Sequence, residues 1–85
     1  MGLVYLAHEI GGTTMLVKLL HLNPQNFHIK VEHVETGQKF DLTCPMTIFQ
    51  RIQRWGIGTF MEVDTFDNDI VKSVVRKDPP EGAYA

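Results

Sequence analysis

The sequence predicts a small, mostly-β (α+β) domain of five to six strands with one helix. Three observations carry this: a stretch of strict in/out alternation, a helix-period stretch opened by proline, and two later short β-rich runs separated by a polar turn. The clearest alternation is Phe27, Ile29 and Val31 against His28, Lys30 and Glu32, which buries one face and wets the other. The helical stretch starts at Pro45 and repeats Ile48, Phe49, Ile52 and Trp55 on one face.

Taken in order, Leu3–Ile10 is apolar through Val4, Tyr5 and Leu6 and reads as a first strand, closed by a turn at Gly11-Gly12-Thr13-Thr14. Met15–Leu22 is apolar on both faces apart from Lys18 and His21, as a central strand would be. Asn23-Pro24-Gln25-Asn26 is a turn, because proline presets φ at the second position and Asn tolerates turn backbone. The alternating strand from Phe27 follows. Glu35-Thr36-Gly37-Gln38 then supplies a hairpin whose Gly37 can take positive φ, and Phe40 and Leu42 continue the alternation on the return.

Pro45 suits a first helical turn, where its missing N–H costs nothing. Gly56 stands where a left-handed cap is wanted, with Ile57 placed to close back on Ile52. Two strands follow. Thr59–Phe66 buries Met61 and Val63 against Glu62 and Asp64; Asp67-Asn68-Asp69 turns; Ile70–Lys77 carries Val71, Val74 and Val75. Residues 1–77 form one domain, and 78–85, with two prolines and no periodicity, form a tail. With the first strand set aside as an added edge, the order β-β-β-α-β-β predicts a small barrel. It is OB-like or SH3-like, with the helix between the third and fourth barrel strands.

Size and charge narrow the function classes. Eighty-five residues suffice for one core. Eight Lys and Arg stand against ten Asp and Glu, so the basic excess usual in nucleic-acid binders is missing, as is support for a membrane-surface role. A single cysteine and no run of membrane-spanning length point to a cytoplasmic, reducing setting, and Met1–Leu6 lacks the basic start of a signal peptide.

The leading expectation is a non-catalytic module that binds a protein partner or a second copy of itself. Its interface would use Leu3, Tyr5 and Ala7, because that strand is apolar on both faces and, before His8 and Glu9, lacks the charge or proline that blunts exposed edges. The alternative is an OB-type single-stranded nucleic-acid binder using His28, Lys30, Lys39, Arg51 and Arg54, with Glu32 and Asp41 spoiling its field. A third reading is a small enzyme using Cys44, its thiol activated by the helix that follows and served by His8, His21, His28 or His33. Glu62, Asp64, Asp67 and Asp69 read as a solvated acidic edge. The histidine spacing predicts no metal, and no cofactor motif is present.

Overall fold

The computed structural model describes residues 13–80. Its elements are β1 (Thr13–Asn23), β2 (His28–His33), β3 (Lys39–Thr43), α1 (Met46–Trp55), β4 (Phe60–Thr65) and β5 (Val71–Lys77). The strands form one antiparallel sheet in the order β3-β2-β1-β4-β5. The predicted strand over Leu3–Ile10 lies outside the described residues.

β1 is the organising strand. Its first half, Thr13–Lys18, pairs with β4, and its second half, Val17–Asn23, pairs with β2. A register shift between Leu19 and His21 makes Leu20 an extra residue, and such bulges bend and twist a strand. One long strand can therefore serve two neighbours. The turn expected at Gly11-Gly12-Thr13-Thr14 is corrected in its second half. Thr13 and Thr14 belong to β1, drawn into the ladder by Thr65 and Asp64.

The alternation in β2 and β3 is as expected: Ile29, Val31 and Leu42 are buried, while Lys30, Lys39 and Asp41 are exposed. Phe27 belongs to the preceding turn, with φ of 58°, where an aromatic residue is uncommon. Its ring still reaches the core, edge-to-face on Phe49 at 5.4 Å, and its carbonyl accepts from the Cys44 N–H at 2.9 Å. These contacts offset the backbone strain.

The two outer strands meet at one corner. Thr43 and Ile70 form a single parallel bridge, and the Thr43 N–H donates to the Asp69 carbonyl at 3.1 Å. Among the described residues no continuous ladder joins β3 to β5, and the five-stranded sheet they form is not closed into a barrel. α1 packs against β5, and the Arg51 Nη1 donates to the Val74 carbonyl at 3.3 Å. An edge strand presents unpaired backbone groups, and the helix supplies a partner for one of them.

Ile48, Phe49 and Ile52 point from α1 into a core shared with Val17, Leu19, Ile29, Val31, Met61, Val63 and Val71; Trp55 packs against it half-buried. Pro45 sits one position earlier than expected, as the N-cap with φ −58° and ψ 151°. In β5 the register slips by one beside Asp64 and Thr65, leaving Lys72 extra. The inward residues become Val71 and Val74, and Val75 is turned out to 54% exposure.

Candidate functional site

The loop from α1 to β4 reads Gly56-Ile57-Gly58-Thr59, and its geometry is set by its glycines. Gly56 and Gly58 have φ of 94° and 95°, a region that side-chain-bearing residues rarely adopt. Two backbone bonds stitch the loop to β1: the Gly58 N–H donates to the Leu19 carbonyl at 2.8 Å, and the Leu19 N–H donates to the Thr59 carbonyl at 2.9 Å. Thr59 caps the helix end through its N–H and its Oγ1, both donating to the Gly56 carbonyl, at 3.3 and 2.8 Å.

This corrects the expected closure of Ile57 on Ile52. Gly56 adopts φ 94° with ψ 165°, which is extended and not the left-handed helical cap that would fold the next residue back. Ile57 is held between two constrained glycines and stands 64% exposed. It forms one lip of a cleft of about 270 Å³, whose other walls are Phe60, Arg76, Lys77 and Pro79. Pairing of Phe60 with Lys77 and of Met61 with Arg76 carries the cations to that wall. The Lys18 ammonium lies 5.8 Å from the Phe60 ring centroid.

The residues expected to meet nucleic acid are divided by the fold. Pairing places Lys18, Glu32 and Lys39 in one row across β1, β2 and β3, and His21, Lys30 and Asp41 in the next. His28 pairs with Thr43 at the end of the same strands. Lys30 is bridged to Asp41 at 3.6 Å, an exposed pair of little energetic weight that nonetheless cancels charge locally. The half-buried Phe27 and Phe40 pack against the core, so neither serves as an open stacking platform on this face. Arg51 and Arg54 lie on α1, where Arg51 is engaged with β5.

Cys44 is 4% exposed and packs in the core. Burial pushes its thiol up to about 12, opposite to the activation expected from the helix. Desolvation outweighs the helix dipole here because the side chain lies among apolar groups. Among the described residues, no three of His, Cys, Asp and Glu converge as a metal site requires. Of the acidic residues, Glu62, Asp67 and Asp69 are exposed as expected and Asp64 is half-buried, but the strand that carries Glu62 and Asp64 is not an edge. β4 lies between β1 and β5, and Asp64 accepts from Thr14 Oγ1 at 3.2 Å and lies 3.9 Å from the Lys72 ammonium.

A second cleft, of about 320 Å³, opens between β3 and the β4–β5 turn, where the sheet fails to close. Met15, His33, Phe40, Thr65 and Phe66 line it, with Asp67 and Asp69 at the rim. Leu3, Tyr5 and Ala7 lie outside the described residues. No helix among the described residues is long and apolar enough to cross a membrane. The chain matches no protein-family model, no characterised protein and no solved structure.

Proposed function

We propose that this chain is a non-catalytic binding module on an OB-like small barrel, acting in a reducing, cytoplasmic setting on a protein partner or a second copy of itself. The OB-like reading is supported over the SH3-like one by β1 shared between two partner strands and by a helix inserted after β3. The parallel approach of β3 and β5 at Thr43 and Ile70 adds to it. OB-type barrels are partly open, which suits a single bridge at that seam. The observation that carries the interaction role is Ile57: a large apolar side chain, 64% exposed, on a loop pinned to β1 and bordering a concave surface. A surface shaped before binding loses little entropy on association. The buried, unpaired Cys44 fits a reducing compartment.

Mass measured by light scattering during size exclusion tests the self-association arm. A dimer at about 100 µM that becomes monomeric or insoluble with Tyr5→Lys supports the interface at Leu3, Tyr5 and Ala7. A monomer whose Tyr5 resists quenchers refutes that arm and leaves a foreign protein as partner.

Single-stranded nucleic acid is the second reading, favoured by Lys18, Lys30 and Lys39 sharing the outer face of β1–β3 with His21 and His28. Fluorescence anisotropy of a labelled oligothymidylate is the test. Binding that falls with salt and with Lys30→Ala and Lys39→Ala promotes this reading, because phosphate contacts release counterions. No signal at low salt removes it.

A further inference from the structure

We propose that the cleft bounded by Ile57, Phe60, Arg76, Lys77 and Pro79 docks an acidic peptide segment that carries an apolar side chain. The proposal rests on the binding-module reading and names the site and the partner's chemistry. Arg76 and Lys77 are both exposed at the end of β5 and both line the cleft, so two cations border its floor. No Asp or Glu is among the described lining residues; Asp78, next in the chain, is exposed and lies outside the cleft wall. Elsewhere the surface lysines have acidic neighbours, as Lys30 has Asp41 and Lys72 has Asp64. Here the charged side chains lining the cleft are Arg76 and Lys77, both cationic.

The apolar half of the site is Ile57, held outward by the backbone of its flanking glycines. Burying it against a partner's leucine or phenylalanine removes apolar surface from water, while Arg76 offers a carboxylate its two-pronged donor fork. The chemistry favours a carboxylate-bearing peptide over a nucleotide strand. Phe60 is only 7% exposed, so it offers little ring surface on which a base could stack. A volume of about 270 Å³ holds one or two side chains.

The test is an amide-resonance titration of the ¹⁵N-labelled full chain with three probes: acetyl-Glu-Leu-Asp-Leu-Glu-amide, its counterpart with lysine at each acidic position, and a short oligothymidylate. The expected result is saturable shifts at Ile57–Phe60 and Arg76–Lys77 with the acidic peptide alone, weakened by salt. Affinity should fall about tenfold with Arg76→Gln combined with Lys77→Gln, and severalfold with Ile57→Ser. All three side chains are exposed, so the variants should keep the wild-type circular dichroism. The proposal is overturned by equal binding of the lysine peptide, by tighter binding of the oligonucleotide at these amides, or by no saturation at millimolar peptide. Saturable acidic-peptide shifts confined to another face overturn the cleft but leave the binding-module reading standing. A chain that binds none of the probes and stays monomeric counts against both.

Discussion

Replacing Ile52 by alanine tests whether α1 is part of the core or an ornament on the sheet. Ile52 is 0% exposed and shares the cluster with Phe49, Ile48 and the inward residues of β1, β2 and β4. The substitution deletes three carbons, each worth about 0.8 kcal/mol of transfer free energy, or about 2.4 kcal/mol in all. The unfilled space adds roughly another 1 kcal/mol where neighbours cannot collapse, giving about 3–4 kcal/mol. A domain of this length has a total stability on the order of 5–10 kcal/mol, so the loss is a large share of the whole. Urea denaturation followed by far-ultraviolet circular dichroism reads it directly, and the melting temperature should fall by at least about 12 °C. Ile57→Ala is the internal control. It deletes the same atoms from a side chain 64% exposed, and should cost less than about 0.5 kcal/mol. Equal losses in the two variants, or a loss below about 1 kcal/mol at Ile52, would mean that the helix does not bury this face and that the packing described here is wrong.

Three further outcomes follow from individual contacts. Cys44, raised from 9.0 to about 12, stays protonated in the fold while the unfolded chain ionises. Its contribution is therefore complete below about pH 9 and is lost as pH rises toward 12. Cys44→Ala should flatten that alkaline decline in urea midpoints, and a thiol reagent at pH 8 should label the native chain far more slowly than the unfolded one; comparable rates refute the burial. Arg51→Met keeps the aliphatic stem but removes the bond to the Val74 carbonyl, and should cost about 0.5–1.5 kcal/mol in the same denaturation assay, against a smaller change for exposed Arg54→Met. Gly58→Ala should cost about 1–2 kcal/mol; an added Cβ meets nothing within 4 Å, so the loss comes from φ of 95° alone, and a neutral result in a melt disproves that conformation.

How far the sequence could be read depended on whether a feature was decided within a few neighbouring residues. The β2–β3 hairpin was legible because alternation and the turn at Gly37, with φ of 76°, reinforce each other over a dozen positions. The buried face of α1 was legible because Ile48, Phe49 and Ile52 recur at helical spacing. Local rules failed where the chain met a distant partner. Thr13 and Thr14 follow two glycines and look like a turn, yet β4 recruits them into a ladder. Val75 looks no different from Val74 until the bulge at Lys72 decides which of them faces inward.

The basic cleft shows the same limit in a functional setting. Arg76 and Lys77 are neighbours at the end of β5, and Ile57 reads in the sequence as a capping residue. Their meeting depends on β4 pairing with β5 and on the loop being fastened to Leu19 in β1. A signal was present in the sequence: an isoleucine between two glycines, just after a helix, has no regular element to carry it into a core. The cap rule that assigned it to Ile52 presumed that Gly56 would be left-handed and helical. Glycine also allows φ 94° with ψ 165°, and in that conformation the loop makes its two backbone bonds to Leu19. The same backbone choice that denies Ile57 to the core fixes it beside the cations of β5. The exposure of Ile57 is thus a consequence of how β4 is attached to the sheet, and relieving it by mutation at Gly56 or Gly58 would disturb the start of β4 as well.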